Sequence, residues 1–212
     1  MVRQTAFVSI LMQFLLGAVT SSSFVFIDES DDDLSIILWL EVSSQIVEFL
    51  WYLIVLTQTR TISTRYRYID WVISTPIMLT SLGMFFRYRA GDGVLTVFDM
   101  SPIYVSLVLN WFMLLIGFSI ESPNTSELQR LIGVGFGGIA LVGSFTTLST
   151  YIQPGDLTSN ILFWVTFFVW SLYGVAASLE YTPKNVMYNL IDVVSKNGYG
   201  VFLFVYTLAS VR

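Results

Sequence analysis

A lysine and an aspartate lie one helical turn apart in a mostly apolar stretch near the end of the chain. Asp192 and Lys196 are four residues apart in the run NVMYNLIDVVSKNGYGVFLF, so both side chains fall on one face of a helix. A lysine at the centre of a membrane helix costs about 2.5–3.5 kcal/mol, so it is retained where it has a partner or a task. A buried amine also forms Schiff bases with aldehydes. The pair is therefore either an ion pair between helices or the attachment point of an aldehyde cofactor.

Polar residues recur at helical spacing in other apolar stretches. One set, spaced i, i+3, i+4, i+7 and i+11, consists of Glu41, Ser44, Gln45, Glu48 and Tyr52. A second consists of Arg67, Asp70, Ser74 and Ser81. A third contains the lysine and consists of Asn185, Asn189, Asp192, Lys196 and the neighbouring Asn197. The first stretch adds Ser9 and Gln13. Each set occupies one helical face. Because charged groups within a membrane face the bundle interior, the stripes predict a polar, hydrated core. The alternative is that they only bond helices together.

The elements that carry these stripes are seven apolar stretches of membrane-spanning length. Their approximate ranges are Gln4–Ile27, Leu34–Thr57, Arg65–Tyr88, Val97–Ile120, Leu128–Tyr151, Leu157–Leu179 and Pro183–Ser210. Only 12% of the residues are charged, and the mean hydropathy is +0.72. Together these two values exclude an ordinary soluble domain. The sequence predicts an all-α integral membrane protein, one seven-helix bundle over residues 1–212, with neighbouring helices antiparallel.

Composition limits the chemistry. The chain has no cysteine and no histidine, so thiol chemistry is excluded and proton transfer would use carboxylates, the lysine, tyrosines or water. The net charge of −5 gives no basic surface for nucleic acid. Three aromatic residues, Trp71, Trp170 and Tyr173, lie near the middle of their spans and are either packing residues or walls of a cofactor cavity.

Three motifs resemble those of microbial (type 1) rhodopsins. The third span reads RYRYIDWVISTP, similar to the family's arginine-tyrosine-x-aspartate-tryptophan run with its downstream proline. The seventh reads DVVSKNGYG, similar to the retinal-lysine motif, and the sixth reads WSLYG, similar to tryptophan-x-x-tyrosine-proline. The resemblance covers the whole chain. It implies a seven-helix bundle with retinal in the interior and a photoreceptor that is not an enzyme.

The resemblance also assigns roles to individual residues. Lys196 would bind all-trans retinal as a Schiff base, with Asp70 as primary counter-ion and proton acceptor and Asp192 as second counter-ion. Arg67 would lie on the extracellular side of them, and Tyr52 would hydrogen-bond Asp192. The residues that would complete the retinal pocket are Trp71, Ser74, Pro76, Trp170 and Tyr173.

Two positions depart from the family pattern. Gly174 stands where proline is usual, which leaves Trp164 as a competing anchor for the sixth span, and Ser81 stands where proton pumps place a carboxylate donor. The family orientation puts the N-terminus outside, the C-terminus in the cytoplasm and the acidic turn Asp28–Asp33 on the cytoplasmic side. The positive-inside tendency, which rests on Arg60, Arg65, Arg130 and Lys184, favours the opposite.

A narrower resemblance links the chain to viral rhodopsins of the first group, with features of channelrhodopsins. It rests on the second-span glutamates, on Asn189 and on the SKN sequence at Ser195–Asn197. The residues expected to form an ion path are Ser9, Glu41, Gln45, Glu48, Tyr52, Arg67, Asn189 and Asn197. Glu41 and Glu48 are expected to face Asn189 and Asn197 and to mark two narrow points about 10 Å apart.

Three functions remain open at this point. The first is a light-gated cation channel, because acidic groups along a pore favour cations. The second is an outward proton pump with Asp70 as acceptor and Glu41 as donor. The third is a sensory rhodopsin with a transducer. The expected partners are membrane lipid and small cations or protons, with no nucleic acid and no metal. A homo-oligomer is left open.

Overall fold

The computed structural model describes residues 1–28, 31–57, 63–91 and 100–210, and every regular element in them is helical. The helices are α1 (Val2–Ser22), α2 (Asp32–Thr57), α3 (Arg67–Ala90), α4 (Ser101–Ile120), α5 (Glu127–Ser149), α6 (Leu157–Ala177), α7 (Tyr181–Asp192) and α8 (Gly198–Ser210). A π turn, Val193–Asn197, joins α7 to α8, so the two continue as one rod. The predicted all-α bundle of seven rods is confirmed.

Six helices of the described ranges are long and apolar enough to cross a membrane. They are α1 to α6, with α1 and α3 lengthened by short 3₁₀ turns at Ser23–Val25 and Thr64–Tyr66. The seventh rod is divided by the π turn into pieces that are each shorter than a span. The π turn includes Lys196, and it gives the turn that carries the lysine one residue more than an α-helical turn has.

Side-chain caps set several helix boundaries. Asp31 accepts a hydrogen bond from the backbone N–H of Leu34 at 3.0 Å, so the second span begins in the acidic turn at Asp32 and not at Leu34. Asp156 caps α6, and Ser126 with Gln129 forms a reciprocal capping box at α5. The seventh rod begins before Pro183, which lies in its first turn, where a missing N–H costs little. The expected start at Val97, Glu29 of the acidic turn and Arg60 lie outside the described residues.

The interior of the bundle divides into two regions. An apolar core lies between the second half of α3 and its neighbours, where Leu79, Phe85 and Phe145 are almost fully buried. Polar side chains are concentrated where α1, α2 and the α7–α8 rod meet, and Ser9, Glu48 and Asn197 are at most 2% exposed there. The fold therefore brings the predicted stripes together on one side of the bundle.

Candidate functional site

Three carboxylates surround the amine of Lys196 on the π turn. The Lys196 Nζ lies 3.4 Å from Asp70 Oδ2, 3.5 Å from Glu48 Oε1 and 3.7 Å from Asp192 Oδ1. All four side chains are at most 2% exposed. The structure thus brings Asp70 and Asp192 to the lysine and adds Glu48, which the sequence predicted only for an ion path.

Asp192 is the carboxylate with the most hydrogen-bond donors. Its Oδ2 accepts from the Tyr52 hydroxyl at 2.8 Å and from Arg67 Nη1 at 3.3 Å. Its Oδ1 accepts from the Tyr173 hydroxyl at 2.7 Å and from the Trp71 indole N–H at 3.3 Å. Asp192 therefore pairs with two cations, Arg67 and Lys196, and it is held by donors from α2, α3 and α6.

Arg67 builds a polar layer at the α3 N-terminal end of the site. Its guanidinium donates to Asn185 Oδ1 at 3.0 Å, to the Tyr52 hydroxyl at 3.3 Å and to Asn189 Oδ1. The Asn189 amide donates in turn to the backbone of α1 at Val2, 3.0 Å away. This layer joins α1, α2, α3 and α7 on the side of Lys196 that the family orientation calls extracellular.

The other two carboxylates have few donors. Asp70 Oδ1 and both oxygens of Glu48 have no hydrogen-bond partner among the described residues. Glu41 lies further from the Arg67 layer, where its Oε1 accepts from Gln45 Nε2 at 3.1 Å. Glu48 and Glu41 are therefore at different sites. The expectation that both face Asn189 and Asn197 stays a prediction: among the described residues, Asn189 bonds Arg67, and the side-chain amide of Asn197 has no hydrogen-bond partner.

We call the buried polar residues shared by α1, α2 and the seventh rod the polar seam. Its members are Ser9, Gln13, Thr20, Glu41, Gln45, Glu48, Asn189 and Asn197. Ser9 donates to the Asn189 carbonyl at 2.8 Å, and Gln45 donates to the Thr20 hydroxyl at 3.3 Å, so the seam extends on both sides of Lys196. Both amide atoms of Gln13 and Asn197, both Glu48 oxygens, Glu41 Oε2 and Gln45 Oε1 lack hydrogen-bond partners in the described chain. Buried groups of this kind normally bind water or an ion.

An apolar cavity of about 830 Å³ adjoins Lys196 on the opposite side from the seam. Trp71, Trp170 and Tyr173 line it, as expected for pocket walls. Gly174 also lines it, whereas Trp164 is 62% exposed, so Trp170 is the tryptophan of the sixth span that faces the interior.

Two predicted pocket residues lie elsewhere. Ser74 and Pro76 are not among the residues that line the cavity. Ser74 is fully buried, and its carbonyl accepts from Ser44 at 3.4 Å, so it lies toward α2. Thr75, between them, lines the cavity and accepts from the Asn110 amide at 2.8 Å.

Sequence reasoning missed several cavity residues. Among them are Thr75, Met78, Met113, Leu114 and Tyr188. Tyr188 packs edge-on against Trp71, with ring centroids 5.0 Å apart, and beside Tyr173 at 5.8 Å. Helical spacing could have found two of these residues, because Tyr188 is four positions before Asp192 and Thr75 is four after Trp71. Met113 and Leu114 lie in a run of apolar residues of α4, where no pattern distinguishes them.

The site fits a long apolar aldehyde bound to Lys196. The amine lies at the boundary between an apolar cavity that can accept a chain and a cluster of carboxylates that can stabilise a positive charge on nitrogen. The chain's other lysine, Lys184, is engaged by both oxygens of Glu121 at 2.8 and 3.0 Å. A bundle with these features is a seven-helix membrane protein of the retinal-binding class.

Comparison with known proteins identifies the family. Residues 3–210 match the family model described as bacteriorhodopsin-like protein. The chain therefore belongs to the bacteriorhodopsin-like family, the microbial rhodopsins, which are light-driven ion transporters or photoreceptors and bind retinal. None of the curated proteins compared with the chain matches it.

Solved structures show the same fold. The viral rhodopsin OLPVRII is 24% identical with a TM-score of 0.86, and the match covers 100% of this chain and 99% of that one. The light-driven proton pump LR (Mac) from Leptosphaeria maculans is 16% identical, with a TM-score of 0.75 and coverage of 98% and 96%. Bromide-bound halorhodopsin from Halobacterium salinarum is 14% identical, with a TM-score of 0.78 and coverage of 96% and 91%. At these identities the likeness concerns the fold and not the transported ion.

Proposed function

We propose that this rhodopsin is a light-gated cation channel that carries all-trans retinal on Lys196. The observation that carries the proposal is the polar seam, whose buried polar atoms without a partner among the described residues lie on both sides of Lys196. A pump needs an insulated proton path with a break in it, whereas a channel needs a continuous polar path. Unpaired amide and carboxylate atoms on three adjacent helices support the continuous path.

The cofactor supplies light absorption and a change of shape when it is attached to Lys196. The protein's own residues hold the charge and the proton. Asp70 Oδ2, at 3.4 Å from Nζ and with few other donors, is the acceptor for a proton from the lysine nitrogen. Asp192 is the fixed counter-charge, because it also pairs with Arg67 at 3.3 Å. Glu48, on the seam side, completes the negative cluster.

The charges along the seam favour cations over anions. Glu41 and Glu48 are fully buried on α2, and every other member of the seam is neutral. A low-dielectric path lined by carboxylates and amide oxygens stabilises a cation and repels an anion. Sodium ions, potassium ions and protons would all be stabilised by such a path.

An outward proton pump is the second candidate, and the apolar core favours it. The second half of α3 packs Leu79 and Phe85 on the far side of Lys196 from Arg67. Such an apolar layer could insulate one half of a proton path. In this case Glu41 would be the proton donor, because Ser81, which bonds the Ile37 carbonyl and Tyr199, has a hydroxyl group in place of a carboxyl group. A sensory role with a transducer is a third candidate for which the described surface offers no specific observation.

The orientation follows from the family pattern. We propose a single seven-helix domain over residues 1–212 that is multi-pass in the membrane, with the N-terminus and the Arg67 layer outside and the C-terminus in the cytoplasm. Its partners would be lipid and small cations or protons.

Photocurrents recorded at several voltages test the proposal. Current that reverses sign when the cation gradient is reversed is expected of a channel. Current that stays outward at every voltage would establish the pump instead. Lys196→Ala in the same membrane is the control, since it removes the attachment site and should carry no light-dependent current.

A further inference from the structure

The side chain of Gln45 connects three helices at one point of the polar seam. Its Nε2 lies 3.3 Å from the Thr20 hydroxyl on α1, 3.1 Å from Glu41 Oε1 on α2 and 3.5 Å from the Lys196 carbonyl on the π turn. Gln45 is 5% exposed, so bulk water does not compete for these contacts. The amide group of Gln45 therefore links the backbone of Lys196 to the side chain of Glu41.

Glycines leave the space that this amide occupies. A Cβ at Gly200 would overlap the Gln45 amide nitrogen and the Thr20 hydroxyl, and a Cβ at Gly17 would lie 3.5 Å from Gln45 Oε1. The amide thus lies between α1 and α8 where a larger residue at Gly200 would displace it. The Gln45 amide therefore fills the polar seam at the depth of Gly17 and Gly200.

The contact with Lys196 is sensitive to small movements. At 3.5 Å, the distance from Nε2 to the Lys196 carbonyl is at the limit of a hydrogen bond, so a shift of a fraction of an ångström either tightens or breaks it. Lys196 also lies on the π turn, and such single-turn insertions occur frequently at functional sites. Movement of Lys196 therefore reaches Gln45 without passing through the three carboxylates.

We propose that Gln45 is the positioning residue that couples Lys196 to the ion path and closes the path in the dark. While its amide bridges Thr20, Glu41 and the Lys196 carbonyl, α1, α2 and the seventh rod are held together and the seam is blocked at Gln45. When the Lys196 backbone moves, the amide loses that acceptor and turns, and the seam opens between Glu41 and Glu48. The inference rests on the proposed channel and adds the residue that gates it.

Two variants disturb the bridge in different ways. Gln45→Met keeps the length of the side chain but removes the donor. Gly200→Ala keeps Gln45 but pushes its amide and the Thr20 hydroxyl away, and alanine does not weaken the helix. Each should slow channel closing after a light pulse by about fivefold, the ratio that corresponds to one lost hydrogen bond. Gln13→Met is the matched comparison, because it removes a buried seam amide that has no hydrogen-bond partner among the described residues; it should change current amplitude and leave the closing rate within about twofold.

An infrared light-minus-dark spectrum gives a readout that does not depend on current. The wild type should show a glutamine side-chain carbonyl band that is absent in Gln45→Met and present in Gln13→Met. A purely structural role predicts the opposite pattern: the Gln45→Met protein without retinal unfolds at a lower temperature, while its closing rate and difference spectrum match the wild type. That pattern would overturn the proposal.

The same experiments separate this inference from the proposed channel. If the wild type carries no current that reverses with the cation gradient, the channel proposal fails. The infrared band and the rate of the last photocycle step then still decide the coupling. Loss of the band and a slower last step in Gln45→Met support the coupling in a pump as well, and an unchanged spectrum and rate refute it in either case.

Discussion

Asp70 and Asp192 lie at nearly equal distances from the Lys196 amine, yet their surroundings predict opposite consequences when each is replaced by asparagine. Asp192 also pairs with Arg67 and accepts from two tyrosines and a tryptophan. Asp70 contacts Lys196 at 3.4 Å, and its Oδ1 has no hydrogen-bond partner in the part of the chain that the structure describes. We expect Asp192→Asn to cost mainly stability and Asp70→Asn to change mainly colour.

The magnitudes follow from the number of charges left unpaired. Asp192→Asn leaves the buried Arg67 without a carboxylate, and breaking a buried ion pair costs about 3–5 kcal/mol. In a chain of this length that lowers the unfolding temperature by roughly 6–20 °C. Asp70→Asn leaves Lys196 with two carboxylates, so the loss is about 1.5 kcal/mol and roughly 3–6 °C. The absorption maximum should move further to the red in Asp70→Asn, because the charge of Asp70 is not shared with Arg67.

Two measurements check the prediction. Thermal unfolding of the proteins without retinal, followed by tryptophan fluorescence in lipid nanodiscs, gives the order of stability. Absorption spectra of the retinal-bound proteins at neutral pH give the order of colour. The reasoning is refuted if Asp70→Asn is the less stable variant, or if Asp192→Asn shows the larger red shift.

Three further changes test other parts of the structure. Lys196→Ala should give a folded protein that stays colourless when retinal is added; visible absorbance that resists hydroxylamine would contradict the assignment. Burial raises the pKa of Asp156, but hydrogen bonds from Arg89 and Ser159 outweigh burial and lower the pKa below its ordinary value. The ionised Asp156 side chain therefore contributes stability that is lost as the pH falls below about 4. The unfolding temperature of Asp156→Asn should therefore depend less on pH between about 5 and 3 than that of the wild type, and equal slopes would count against the capping interaction. Gly83→Ala should lower the free energy of unfolding by about 1–3 kcal/mol, because the new Cβ would lie 2.8 Å from Ile103. Gly135→Ala is the control and should not destabilise the protein, because no described atom lies within 4 Å of its new Cβ. Equal effects of the two changes on the free energy of unfolding would contradict the close packing at Gly83.

The seven rods could be predicted because each leaves a signal along the chain. Apolar stretches of spanning length have short polar connections, and the spacing of four residues correctly predicts that Lys196 lies beside Asp192. The contact between Glu48 and Lys196 could not be predicted, since it depends on the relative depth and rotation of two helices. For the same reason the hydrogen bonds of Asn189 to Arg67 and to the α1 backbone could not be predicted. The π turn was also invisible, because VVSKN has no residue that marks an extra position in a helical turn.

The polarity of the seventh rod has a consequence for how the protein is made. The rod is the one that lacks an uninterrupted apolar helix of spanning length, and its Asn185, Asn189, Asp192 and Lys196 find their partners on α1, α2 and α3. Its entry into the bilayer on its own would leave these groups in hydrocarbon, at a cost of several kcal/mol each. We therefore expect this rod to enter the membrane last, against the six helices that precede it. Arg67 is synthesised more than a hundred residues before Asp192, so its carboxylate partner reaches the membrane after it.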